Sequence, residues 1–221
     1  EKTFMHDNND GMRFHYPTTT HFNSALERKT IDLFSAMGFA VSNNSLNGTN
    51  PTKFTDALFG IRYYMRGNKT AFDQNIDGID KLRDKSNRPD LVDMDLIKET
   101  EYVQLFENHN YLPIGLLAEA DIESLKAARA NPLDFQDRMM NVLDNSADEI
   151  NYYVRLSIKH DELENLSVTP QGKNRTNYTR KITDADAYIA YSFYLMEGHS
   201  HYLTVSNTLN RNNSKLYLDD V

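Results

Sequence analysis

Apolar and polar positions change rhythm along this chain, and the change predicts two kinds of structure. Leu26, Leu33, Phe34 and Met37, with Thr30 between them, recur at helical spacing and mark one face of a helix. Ser24-x-x-Glu27 reads as a capping box opening that helix, and Gly38 stands where a glycine commonly ends one. A second short helix is predicted from near Thr52 through Phe54 and Leu58 to Gly60, followed by a strand over residues 61–65. Short strands are expected over residues 3–5 and 12–16, whereas residues 67–89 are polar and carry no readable period. Two strands over 101–106 and 111–118 flank an Asn-rich turn, and a helix is expected over 121–129. Asn131 and Pro132 then supply an N-cap and an N1 proline for another helix carrying Leu133, Gln136, Met140 and Leu143.

Beyond residue 148 the period shortens to two. Tyr152, Val154, Leu156 and Ile158 alternate with Asn151, Tyr153, Arg155, Ser157 and Lys159, the pattern of a half-buried strand. Further strands are expected over 187–195, 201–205 and 215–218. The fold expected is α+β: a mixed α/β subdomain over 1–146, then a β-rich, antiparallel, sandwich-like subdomain over 147–221. The chain opens at Glu1 and closes on Val221 just after a strand-like run, so it reads as a segment of a larger protein, truncated at its C-terminal end.

Composition narrows the function classes. The formal net charge is −8 and no stretch concentrates lysine or arginine, which argues against a nucleic-acid partner. Cysteine is absent, which removes disulfides, thiolate metal sites and cysteine nucleophiles from consideration. No segment reaches the roughly 20 apolar residues that span a bilayer.

Three constellations carry candidate chemistry. Asp73-x-Asn75-x-Asp77-Gly78 matches the opening of a calcium loop, in which alternating oxygen ligands wrap a hard cation. The match weakens at Asp80, where an apolar anchor is usual, and at Asp84, where a glutamate is usual. Calcium at Asp73, Asn75, Asp77 and Asp84 therefore stands beside the plainer reading of an acidic turn, and no other cofactor is expected. His199-x-His201 is the one short histidine spacing; in a strand it would face one side, although such pairs in turns seldom hold a metal. The run from Thr18 to Ser24 mixes hydroxyls, an imidazole, a ring and an amide, the groups that recognise sugars, ahead of a helix end that suits an anion. Its plainer reading is local capping, with Phe22 as a hydrophobic staple. A ligand surface is thus expected at His21, Phe22, Asn23 and Asp56, with no catalytic residue.

Four segments together resemble a known family. Thr20-His21-Phe22-Asn23-Ser24 leads to the helix ending at Met37-Gly38, and Asn50 to Tyr64 follows the family's pattern T-D-S-L-L-G-V-K-Y before a strand. Leu112-Pro113-Ile114-Gly115 is similar to its L-P-L-G stretch, and Asn131-Pro132-Leu133-Asp134-Phe135-Gln136 to its N-P-F-x-x-Q segment. In order and approximate spacing these resemble the soluble part of the bacterial YfhO family, whose members look like multi-pass membrane glycosyltransferases of the GT-C type. The likeness covers residues 1–145 well and the later strands in character only. It implies an outward-facing domain at the cell membrane of a Gram-positive-type bacterium, partnered by the membrane-embedded part of the same polypeptide. It further implies an accessory part in decorating an envelope glycopolymer, such as teichoic or lipoteichoic acid, with chemistry carried elsewhere. The alternative is a scaffold domain that docks another envelope protein.

Overall fold

A computed structural model describes residues 4–5, 8–48, 51–67, 83–84, 88–115, 122, 125–127, 131–144, 150–156, 159–170, 176–199 and 201–202. The chain divides into two compact units, residues 1–152 and 153–221.

In the first unit the secondary structure runs β1 (Phe4–Met5), α1 (Asp10–Phe14), β2 (His21–Phe22), α2 (Arg28–Ala36), β3 (Ala40–Val41), β4 (Ser45–Asn47), α3 (Lys53–Leu58) and β5 (Tyr63–Gly67). It continues with β6 (Arg83–Asp84), a 3-10 turn (Pro89–Asp93), β7 (Asp95–Glu99), β8 (Val103–Glu107) and α4 (Pro132–Asp144). Every sheet pairing among the described residues of this unit is antiparallel. The orders are β2-β4-β3 and β5-β8-β7, with β1 paired to β6.

One apolar core joins α2 to α4. Ala36, Met37, Phe39, Phe135 and Met139 are buried together, with Leu33, Phe34, Phe54, Leu58 and Phe59 packed around them. The Phe34 ring centre lies 5.3 Å from that of Phe39 and 5.1 Å from that of Phe59, within the range of favourable aromatic pairing. Gly38 makes the approach of the two helices feasible. Its φ is +96°, and an added Cβ would stand 3.0 Å from the Pro132 side chain that begins α4. A second, smaller core of Tyr64, Leu91 and Phe106 lies between the β5-β8 pair and the 3-10 turn, flanked by Ile61 and Met94.

The second unit is built from β9 (Lys159–Glu164), β10 (Leu166–Pro170), β11 (Thr176–Arg180) and β12 (Tyr188–Ser192). β10 pairs with β11 and β9 with β12, both antiparallel. Asn165 turns the chain from one pair to the other with φ of +52°. Its side-chain amide donates to the carbonyls of Ile182, Ala185 and Asp186, and its Oδ1 accepts from Ile182 N at 2.8 Å. Thus one residue fixes both the corner and the turn between β11 and β12. A hydrogen bond of 2.6 Å between the Tyr178 and Tyr191 hydroxyls links the two pairs. The fold is α+β, with a mixed α/β region followed by antiparallel sheets in a sandwich-like arrangement.

Several elements differ from expectation. Residues 10–14 form a helix, where a strand was expected over 12–16; Asp10 in its first turn and Arg13 in its last suit the helix dipole. Ser24 does not cap α2. The Asn23 side chain accepts instead from Ala25 N at 3.2 Å, which closes a turn and delays the helix until Arg28, with Glu27 as an N-cap that makes no side-chain cap bond. The alternation at 150–156 is not a strand. That segment is held by side chains, with Ile150 N donating to Asn141 Oδ1 and Tyr152 N to Asp137 Oδ1, and pairing starts at Lys159. Residues 111–115 are irregular as well, since Leu112 N donates to Ala57 O at the end of α3. The strand expected over 215–218 lies outside the described residues, as do residues 203–205.

Candidate functional site

Helix α3 organises the first unit because its two turns face two polar clusters. Thr52 is its N-cap: the hydroxyl accepts from Thr55 N at 3.2 Å, while Thr55 Oγ1 accepts from Thr52 N at 2.8 Å, a reciprocal capping box. Thr52 Oγ1 also donates to Gln136 Oε1 at 2.7 Å, and Gln136 Nε2 donates to the Met37 carbonyl at 2.7 Å. Gln136 thereby joins the end of α2, the start of α3 and the body of α4, with 1% of its surface exposed.

The next residue of α3 enters the second cluster. Asp56 is 2% exposed and accepts from the Tyr64 hydroxyl at 2.8 Å on one oxygen and from Arg88 Nη2 at 2.7 Å on the other. Arg88 also donates through Nε to Asp90 at 2.8 Å, and its guanidinium carbon sits 4.5 Å from the Tyr64 ring centre. Burial pushes the Asp56 carboxyl above its ordinary value, against the pull of the Arg88 charge and of the hydrogen bonds from Arg88 and Tyr64. Burial also works against the charge on Arg88, but Asp90 and Asp56 outweigh it and hold the guanidinium more firmly protonated than usual. Asp56 therefore braces α3 against β5 and the 3-10 turn from inside, and is not a surface acceptor for sugar hydroxyls.

The accessible candidates lie on β2. His21 and Phe22 pair with Leu46 and Ser45 of β4, and Asn23 N donates to Asn44 O at 2.9 Å. Phe22 N donates to Asn9 Oδ1, and Thr20 Oγ1 accepts from Gly48 N, so this short strand is tied down on both sides. Gly11 closes in beneath, where a Cβ would collide with the Thr18 methyl. The strand presents a Phe22 ring that is 41% exposed beside an exposed Asn23 and a half-buried His21. A fixed backbone carrying an open ring and an amide can stack on a sugar face and bond its hydroxyls. The turn over Ser24 and Ala25 separates this surface from the N-terminus of α2, which opens on Arg28 and Lys29. Ring and helix end are consequently distinct features.

Asp73, Asn75 and Asp77 lie outside the described residues. Asp84 is a strand position, paired with Phe4. Among the described residues no group of three or more His, Asp or Glu side chains could hold a metal ion. His201 Nε2 accepts from Met196 N at 3.1 Å and so serves a local turn.

Arg88 and Tyr64 carried no signal as a pair in the sequence. Arg88 sits at the edge of the polar stretch without period, just before Pro89. No helix among the described residues is long and apolar enough to cross a membrane. Comparison with curated proteins and with solved structures finds no match to either. The family model described as bacterial membrane protein YfhO matches residues 1–221, the whole sequence. The chain thus belongs to the YfhO family of bacterial membrane proteins, and its place is at the cell membrane.

Proposed function

We propose that this chain is the outward-facing accessory domain of a membrane glycosyltransferase and that it holds an envelope glycopolymer while sugar is transferred to it. Family membership supports a membrane-associated role connected with glycosylation in general terms. The finer reading adds teichoic or lipoteichoic acid as the polymer, the membrane-embedded part of the same polypeptide as the partner, and transfer chemistry supplied there. The observation that carries it is the surface at β2, where Phe22 on the strand and Asn23 just past it stand exposed on a backbone tied to Asn9 and Asn44. An open ring fixed beside an amide can stack on the sugars that such a polymer carries and bond their hydroxyls. Asn23 carries no charge to repel a phosphate.

The test uses the membrane protein that carries this domain, expressed in its host with Phe22→Ala and Asn23→Ala together. The sugar-to-phosphate ratio of the envelope polymer should fall severalfold while protein abundance in the membrane is unchanged. An unchanged ratio would remove the glycopolymer reading and leave the domain as a scaffold for another envelope protein.

A further inference from the structure

We propose that the apolar run Phe193, Tyr194, Leu195 and Met196, which follows β12, is the point at which the second unit rests on the lipid bilayer. All four side chains are exposed, Tyr194 by 94% and Leu195 by 59%. A run of four exposed apolar residues is disfavoured on a surface that meets only water, and it marks an interaction site when it persists. The run is also shaped. Met196 N donates to His201 Nε2, His199 N donates to Met196 O at 3.3 Å, and Gly198 takes a φ of +76°. These bonds close a turn that presents the run at the end of the strand.

Charge favours a bilayer as the occupant. Residues 187–196 contain no Asp, Glu, Lys, Arg or His, although the chain as a whole carries a net charge of −8. An anionic domain would be repelled by anionic headgroups, and a stretch without charge is the part able to approach them, with Glu197 the first charge after it in the turn. Tyrosine suits that depth, because its ring enters the apolar boundary while its hydroxyl remains wet, and phenylalanine adds an apolar ring beside it. A second copy fits less well. Phe193 and Met196 are already more than half covered, so four side chains fall short of the roughly 800 Å² that a standard protein interface takes from each partner. A bilayer needs no matching surface, and the family is one of membrane proteins. This inference goes beyond glycopolymer binding and fails independently of it.

The cysteine-free sequence makes the test direct. Leu195→Cys is labelled with an environment-sensitive fluorophore and mixed with vesicles of phosphatidylglycerol and phosphatidylethanolamine carrying acyl-chain quenchers. Val92→Cys, at a position that is 80% exposed in the first unit, serves as the control. Emission at 195 should shift to the blue and be quenched at least about twofold more than at 92. Tyr194→Ser with Leu195→Ser should weaken vesicle partitioning roughly tenfold, with an unchanged circular dichroism spectrum. Equal quenching at both positions, or a blue shift at 195 that arises from self-association without lipid, would overturn the proposal.

Discussion

Gln136 and Thr52 share a buried hydrogen bond of 2.7 Å across 84 residues of chain, and through it three helices are held in one register. Gln136→Ala strands the Met37 carbonyl and the Thr52 hydroxyl and leaves a cavity. A loss of roughly 3 kcal/mol in urea denaturation is expected. Gln136→Glu is nearly isosteric but replaces the donor facing Met37 O with an acceptor, so it too should destabilise. If the glutamate variant were as stable as wild type, the orientation of this amide would be wrong.

The ion pair between Arg88 and Asp56 makes a sharper prediction. Arg88→Met leaves the Asp56 carboxylate buried without its cation, and a loss of roughly 3–5 kcal/mol is expected. Lysine should not rescue it, because a compact ammonium cannot bridge Asp56 and Asp90 as the planar fork does. Burial already raises the Asp56 ionisation above 3.8, and without Arg88 it must rise further. The folded variant then holds its proton where the unfolded chain has lost it, so its stability should improve as pH falls through the folded value, the gain being complete below the unfolded value of 3.8. Denaturation at several pH values checks the sign, and Asp56→Asn in the same background should abolish the trend.

How much of this was legible in the sequence follows from the kind of interaction involved. Helices α2, α3 and α4 announce themselves through local signals: apolar spacing at Leu33, Phe34 and Met37, the Thr52 cap, and Asn131 before Pro132. Their neighbours are set by long-range polar contacts that leave no period. Gln136 has the sequence neighbourhood of an ordinary helix glutamine, and Arg88 that of a loop arginine. The sequences of β9, Lys159-His160-Asp161-Glu162-Leu163-Glu164, and of β11, Thr176-Asn177-Tyr178-Thr179-Arg180, are mostly polar and carry no apolar alternation. Conversely, the alternation at Tyr152 and Val154 belongs to a segment tied to α4 by Asn141 and Asp137. Of the surface candidates, Phe22 is accessible because it lies on an edge strand, with His21 half-buried beside it and Asn23 exposed just past the strand end. Asp56 is buried because α3 turns its side chain toward Tyr64 and Arg88.

Asn165 should be the weak point of the second unit. Asn165→Ala removes the amide that holds three carbonyls and places a Cβ residue without that support at a positive φ. A loss of roughly 2–3 kcal/mol is expected, confined to residues after 152. Hydrogen exchange resolves the location: faster exchange in β9 to β12 with unchanged protection in α2 and α4 is the expected pattern.

Tyr191 gives an alkaline signature. Burial, followed by its hydrogen bond with Tyr178, raises its ionisation above the ordinary value of 10.0. The folded state keeps this proton where the unfolded chain releases it. Its contribution to stability is therefore fully present below pH 10 and is lost as pH rises through the folded value. Tyr191→Phe should show a shallower alkaline decline than wild type in denaturation curves recorded across that range.

Whether the β2 surface meets an envelope glycopolymer is measured by a chemical-shift titration of this chain with a teichoic-acid fragment. Amide shifts centred on His21, Phe22 and Asn23, weakened at least about fivefold in apparent affinity by Phe22→Ala, are expected on the stacking energies of exposed rings. Binding that leaves these three residues unmoved, or movement confined to the acidic loop from Asp73 to Asp84, would contradict it.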